Sequence, residues 1–350
     1  DGKCPQVDLT AVCDIDPARL ELAKKTNGEG IQTFTDASEL IHSGACEAVI
    51  IAVPHYLHPS MAIEAMETGL HVIVEKPAGV YTKQVEEMNA VAAKHPELVY
   101  CMDFNQRTNP LYKKVKDLID SGDLGEMTRV IWIVTDWYRS QSYYDQGGWR
   151  ATWDGEGGGV LLNQNPHNLD LWQWMCGIPK RVKSQVYYGK HRNIEVEDDL
   201  YALVEYENGA TGCYITTVGD APGTNRLEID GTNGKIVVEN NELTFYRLRI
   251  PEPEFNATYK GGLGKPEVWE CKIPIKGTYT SHPGIINNFC DCILKGAKPI
   301  APGAEGIRGL QISNAIHLSS WLNGEWVNIP VDGELFLEKL QEHCKEPVTK

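Results

Sequence analysis

Gly69-Leu70-His71-Val72-Ile73-Val74-Glu75-Lys76-Pro77 decides the fold. Gly69 is a turn residue, and residues 71–74 form a short apolar run with β-branched side chains, the composition of a buried parallel strand. The run ends in a carboxylate, an amine and a φ-locked proline, at the carboxyl edge where open α/β sheets bind their ligands. A lysine there can donate to a substrate hydroxyl, and partial burial would lower its pKa. Taken alone, Lys76 reads more readily as a solvated strand-end lysine. The surrounding sequence reverses that preference.

Outward from this stretch, the first hundred residues alternate strand and helix patterns. Strands are expected over 7–13, 31–34, 48–53, 71–75 and 99–102, with helices over 17–27, 37–42, 59–68 and 83–94. Such alternation predicts an α/β domain with a parallel, doubly wound sheet and right-handed crossovers. The first expected strand ends in Asp14-Ile15-Asp16-Pro17. A carboxylate at the end of the second strand of a dinucleotide fold accepts both hydroxyls of an adenosine ribose and repels a 2′-phosphate. Asp14 therefore points to NAD over NADP, while Asp16-Pro17 reads as a helix cap and first turn. No glycine-rich GxGxxG turn precedes this strand, so the first β-α unit is expected to be missing from the sequence.

Composition removes several classes of function. The chain has 350 residues, enough for two domains, with 42% hydrophobic and 23% charged residues. A formal net charge of −15 and the absence of a basic stripe argue against nucleic acid and anionic membranes as partners. No apolar run approaches the roughly 20 residues needed to span a bilayer, and residues 1–5 lack signal-peptide character. Ten scattered cysteines without a CxxC pair fit a reducing cytoplasm, and no His/Cys spacing resembles a metal site.

After Asn109 the pattern changes. A helix over 111–121 leads into strands expected over 129–136, 181–188, 199–206, 210–217, 226–230, 235–239 and 243–247. Glu207-Asn208-Gly209 and Thr232-Asn233-Gly234 are hairpin signals. This half, 109–350, reads as an α+β domain with a large, open, mostly antiparallel sheet, following a first domain over 1–108. One sheet face needs a cover, and a second copy of the chain is the simplest candidate, which predicts a homo-oligomer. Residues 251–284 look irregular, followed by helices over 283–295 and 304–322, the latter expected to pack back on the first domain.

Two further stretches carry chemistry. Val53-Pro54-His55-Tyr56-Leu57-His58 follows a strand at the same sheet edge as Lys76, which makes His55 and His58 candidates beside a cofactor. In Gly157-Gly158-Gly159-Val160-Leu161-Leu162-Asn163-Gln164-Asn165-Pro166-His167-Asn168-Leu169-Asp170, helical spacing would put Asn163, His167 and Asp170 on one face. Pro166 either kinks that helix or marks a restart capped by Asn165. A histidine flanked by an amide and a carboxylate suits proton transfer. Between these stretches Trp137, Tyr138, Tyr143, Tyr144, Trp149 and Trp153 are interleaved with arginines and glycines, a composition that matches the C–H faces and hydroxyl edges of a pyranose.

Together, Val53-Pro54…His58, the Glu75-Lys76-Pro77 step and Gly157-Gly158-Gly159…His167…Asp170 resemble the Gfo/Idh/MocA oxidoreductases over essentially the whole chain. The resemblance implies an N-terminal Rossmann domain, a C-terminal sheet used for oligomerisation, and NAD(P)-dependent hydride transfer at a carbohydrate hydroxyl. It places Val53, Pro54, His55, His58, Glu75, Asn105, Trp149 and Arg150 with Asp14 around the cofactor, and Glu75 near the nicotinamide ribose. It gives Lys76 and His167 to catalysis; Asn163 joins them as a holder of the reacting oxygen, and the aromatic segment puts Tyr138 and Tyr143 beside the substrate. Two positions depart from the family pattern: His55 replaces a common Asn, and Asn163 replaces the Asp of inositol dehydrogenase-like members. An amide can hold a hydroxyl but cannot titrate, so proton abstraction falls to His167.

The expected function is oxidation of a secondary ring hydroxyl of a sugar, glycoside or related polyol with NAD as hydride acceptor. Two alternatives stay open at this stage. One is an NAD-dependent glycosidase working by transient oxidation and elimination. The other is a non-catalytic NAD-binding regulator.

Overall fold

A computed structural model describes residues 2–345. The chain divides into two compact units, one holding residues up to Thr108 together with Thr280–Ile307, the other Asn109–Tyr279 with the residues from Arg308 on. In the first unit, strands β1 (Ala11–Cys13) and β2 (Gln32–Phe34) pair in parallel. Strands β3 (Ala48–Ile51), β4 (His71–Val74) and β5 (Tyr100–Met102) form a second parallel ladder with β4 in the centre. Val72, Ile73 and Val74 are fully buried, as a central parallel strand covered on both faces requires.

The single doubly wound sheet expected from the alternation is thus realised as two ladders. Among the described residues no strand bridges β1 and β3. Residues 7–10 also fall outside β1, although the Thr10 carbonyl still accepts from the Gln32 amide at 3.0 Å.

The helix Ser281–Lys295, not the later one, returns to this unit. Phe289 packs on Ile73 and Cys101, and the following segment bridges β5 through Cys101 and Pro302. The helix Gly306–Trp321, expected to pack back here, belongs almost wholly to the second unit. There the Ser319 hydroxyl accepts from the Ser184 amide at 2.9 Å and the Ser184 hydroxyl donates to the Ile316 carbonyl at 2.6 Å. Those polar partners, buried against a strand, hold the helix where the apolar pattern alone leaves its side open.

The second unit is built on one nine-stranded sheet. Its strands are β6 (Met127–Val134), β7 (Arg181–Tyr188), β8 (Glu197–Glu205), β9 (Thr211–Thr217), β10 (Asn225–Gly231), β11 (Gly234–Glu239), β12 (Glu242–Leu248), β13 (Val268–Ile273) and β14 (Val327–Asn328). Their order is β13-β12-β11-β10-β6-β9-β8-β7-β14, antiparallel except where β6 meets β9. β7 and β8 alternate buried and exposed residues, so one face is packed and the other is open. β13 and the helices Glu252–Thr258 and Gly333–Lys345 arise in stretches whose sequence pattern is irregular or unassigned. β13 is an edge strand with mostly exposed residues, so it carries no apolar alternation to find it by.

Candidate functional site

In the first unit the polar groups collect at the carboxyl ends of β4 and β5. The Glu75 amide continues the ladder by donating to the Ile51 carbonyl at 2.9 Å, and the Asp103 amide donates to that of Val74 at 2.8 Å. This backbone register brings the two carboxyls side by side, with half-buried Lys76 next in sequence. His282, at the start of the helix Ser281–Lys295, closes the group. Its Nδ1 stands 2.9 Å from Asp103 Oδ2 and 3.8 Å from Glu75 Oε1, and its Nε2 lies 2.8 Å from Asn105 Nδ2. Burial raises the Glu75 pKa, with Asp103 adding to the rise while His282 and Lys76 oppose it. Asp103 is raised by burial too, against its bond to His282.

Glu75, Asp103 and His282 offer donor atoms within 4.8 Å of one another, a set that has the right types for a cation. Nδ1 and Oδ2 are hydrogen-bonded at 2.9 Å, however, whereas two ligands at about 2.0 Å from a tetrahedral ion stand roughly 3.3 Å apart. The cluster therefore reads as a proton-sharing network. Asp103 and His282 are not legible in the sequence, because nothing local links a strand end to a residue 179 positions away.

His58 lies at the Lys76 strand end. It is buried, with Nδ1 2.6 Å from the Pro77 carbonyl and Nε2 2.8 Å from that of Val53. Its ring clasps the loop after β3 to the residue following Lys76, and both nitrogens are committed. Burial lowers its pKa, and the Lys76 charge lowers it further. His55 is also buried, its ring centroid 5.9 Å from that of His58. His55 opens a 3-10 turn, His55–Leu57, and His58 begins the helix His58–Glu67.

Asp14 follows β1, with one carboxylate oxygen accepting the Asp16 amide at 2.9 Å and the other 3.2 Å from Arg19 Nη1. Asp16 caps the helix Pro17–Asn27, as its sequence predicts. The Asp14 carboxylate stays 28% exposed, so its oxygens can still receive the hydroxyls of a ribose. The fit of an NAD ribose thus rests on an accessible acceptor at a strand end.

In the second unit the glycine-rich stretch is not helical. Asn163 sits in a turn, and the helix Pro166–Cys176 begins with Pro166 in its first position. The expected trio on one helical face is therefore wrong: only His167 and Asp170 share the helix, and Asn163 precedes it. Pro166 marks a restart because it has no N–H to bond backwards. Asn165 does not cap through its side chain; its amide donates to Thr216 Oγ1 at 2.6 Å. Asp170 is buried and accepts from Gln173 at 3.0 Å.

Buried carboxylates fix this turn. Glu197, at the start of β8, has no exposed surface and accepts the Gly159 amide at 2.8 Å and the Leu161 amide at 2.9 Å. A Cβ at Gly159 would collide with the Glu197 carbonyl oxygen, so only glycine lets the turn approach the strand. Glu156 accepts the Ala151 amide at 2.7 Å and the Asn163 side-chain NH2. Burial raises the Glu156 pKa, opposed by those two bonds and by Arg150. Asn163 Oδ1 accepts from the Tyr143 hydroxyl at 3.3 Å, and Arg150 donates to the same tyrosine oxygen at 3.3 Å. The Arg150 guanidinium also lies 4.7 Å from the Trp149 ring centre. The structure thus brings Tyr143, Trp149, Arg150 and Asn163 together through Glu156, a residue that sequence pattern does not single out. Tyr138 is exposed and stacks with Arg192 at 5.0 Å.

Residues 2–102 match the model of an oxidoreductase family with an NAD-binding Rossmann fold, and residues 112–237 match a GFO/IDH/MocA C-terminal domain. A levoglucosan dehydrogenase of Pseudarthrobacter phenanthrenivorans is 25% identical over 85% of this chain and 83% of that protein. A 1-carboxy-3-chloro-3,4-dihydroxycyclohexa-1,5-diene dehydrogenase of Comamonas testosteroni is 30% identical over 86% of this chain and 74% of its own length. The WlbA dehydrogenase of Bordetella pertussis, solved with NADH and UDP-GlcNAcA, superposes with a TM-score of 0.79 at 26% identity, covering 95% of this chain and 93% of that one. With both halves matched by the family's own models and dehydrogenases aligned along most of its length, this chain belongs to the Gfo/Idh/MocA oxidoreductase family.

Proposed function

We propose that this chain, an NAD-dependent dehydrogenase of sugars or polyols, oxidises a secondary ring hydroxyl with Lys76 and His167 acting on the same alcohol oxygen. When bound, the nicotinamide accepts the hydride from the carbinol carbon. Lys76, as an ammonium, donates to the hydroxyl oxygen and stabilises the negative charge that develops there. His167, as a neutral imidazole, takes the hydroxyl proton. Glu75 and Asn105 belong to the network that holds the Lys76 strand end, and Asp14 offers acceptors to the adenosine ribose. Trp149, Arg150, Tyr143 and Tyr138 supply aromatic faces and donors of the kind that grip a sugar ring.

The observation that carries this reading is the placement of Lys76 directly after a buried parallel strand, beside two carboxyls that share a proton network. Purified protein mixed with NAD and a panel of sugars, glycosides and cyclic polyols should build up reduced-nicotinamide absorbance with at least one of them. No turnover across the panel would overturn the proposal. Release of an aglycone without net reduction would instead mark elimination chemistry. We also propose that the open sheet face, where Tyr201 is 47% and Leu203 48% exposed, packs against a second copy, which light scattering after gel filtration tests. The ten scattered thiols lead us to place the protein in a reducing cytoplasm.

A further inference from the structure

We propose that Glu156 is a positioning residue that sets the donor–acceptor direction of the chain Asn163–Tyr143, so that the Tyr143 oxygen is left as an acceptor for the ligand and the site selects a group bearing a hydrogen-bond donor. The inference rests on the reading above that Asn163 and Tyr143 meet the substrate.

Hydrogen-bond polarity fixes the direction. An ionised carboxylate only accepts, whereas an asparagine amide can present either end to a partner of its size. Glu156 is 1% exposed, and its Oε1 faces Asn163, so the NH2 end must turn towards it. The carbonyl end is then forced to the other side, where Gln164 Nε2 donates at 3.1 Å and the Tyr143 hydroxyl at 3.3 Å. With its proton committed to Asn163, the Tyr143 oxygen keeps only lone pairs, one of which Arg150 uses. The Asn163 carbonyl is thus filled by two donors, and the phenol oxygen keeps one lone pair as the acceptor left to a ligand. A ligand hydroxyl completes such a pattern; an ether or deoxy group at the same place leaves it unpaired, and sites built this way discriminate strongly.

The second oxygen of Glu156 shows why the residue is central. It holds the amide of Ala151, whose φ of +55° lies in the left-handed region that side chains disfavour. Ala151 directly follows Trp149-Arg150. One carboxylate thus ties the tryptophan–arginine turn to the turn that carries Asn163. In family members with an aspartate at the position of Asn163 the charge sits on that residue. Here it stands one hydrogen bond behind, on Glu156.

A reciprocal swap tests this. Glu156→Gln keeps its oxygen for the Ala151 amide and turns its NH2 towards Asn163, so the imposed direction is reversed. kcat/KM should fall about 10- to 100-fold, and the preference for a hydroxyl substrate over its O-methyl or deoxy analogue should fall with it. Asn163→Asp sets two carboxylates against each other and should be at least as poor at neutral pH, recovering as the pH is lowered. The double variant E156Q/N163D restores the direction, because the introduced amide donates to the introduced carboxylate and Tyr143 again donates to an acceptor. It should return to within about tenfold of the parent and regain the preference. Losses that simply multiply in the double variant, or an unchanged preference in E156Q, would overturn the proposal. Melting temperatures of the same four proteins give a readout independent of activity. The swap should recover most of the loss seen in N163D, and additive losses would contradict the bridge. A parent protein that turns over no polyol defeats the functional reading, and the melting cycle alone then decides the inference.

Discussion

The two units present their polar groups by opposite means. In the first, Glu75, Lys76 and Asp103 stand at the ends of parallel strands, and the backbone ladder itself sets their positions. In the second, Asn163 lies on a turn with no ladder of its own, and buried carboxylates take the part that strand pairing plays elsewhere. A strand-end site tolerates change in its neighbours because main-chain bonds hold it. A turn held by Glu156 and Glu197 depends on two side chains, each remote from a polar environment that could replace it.

Four substitutions sharpen that contrast, taken from the largest expected effect down. Lys76→Ala should cost roughly a thousandfold in kcat and leave NAD affinity within a few-fold, since the ladder keeps the strand end in place. Steady-state kinetics with cofactor titration by fluorescence checks both halves. Glu197→Ala should lower stability by about 3 kcal/mol in urea unfolding, because the Gly159 and Leu161 amides lose a buried acceptor. A loss near zero would mean that the turn holds itself. Asp14→Ala should weaken NAD binding about tenfold, the loss of one charge-assisted hydrogen-bond partner, and narrow the gap between NAD and NADP. Calorimetric titration with both cofactors measures it.

The smallest effect concerns Asp103→Asn. Burial raises both Glu75 and Asp103, so the folded protein keeps protons that the unfolded chain has released. Stability then falls as pH rises from about 4, the ordinary carboxylate value, through the raised folded values. Removing Asp103 deletes one such group and its push on Glu75. The melting temperature of the variant should be flatter with pH over that window than the parent's. An unchanged slope would show that the pair does not share its proton.

The same contrast governs how much is legible in the sequence. The strand β4 and the place of Lys76 can be read from a few apolar residues, because burial on both faces leaves a continuous β-branched run. The boundary near Asn109 shows itself as a change from βα alternation to hairpin signals. Spacing alone assigns Asn163 to a helix, and the turn becomes visible only once Glu197 is seen to hold Gly159 and Leu161 from 38 and 36 residues away. His58 looks like a loop histidine because sequence carries no sign that two carbonyls flank its ring. Glu156 gives no signal beside three glycines, where a carboxylate reads as solvated. Its role comes from burial, which pattern reading cannot supply for a single charged residue.

Whether one amine and one imidazole serve the same oxygen is tested most directly by a kinetic double-mutant cycle. Lys76→Ala, His167→Ala and the double variant are compared in kcat with the best substrate of the panel. Residues acting as one unit give non-additive losses, so the double variant should be no more than a few-fold slower than the worse single variant. Losses that multiply in full would show two independent contributions and contradict the account.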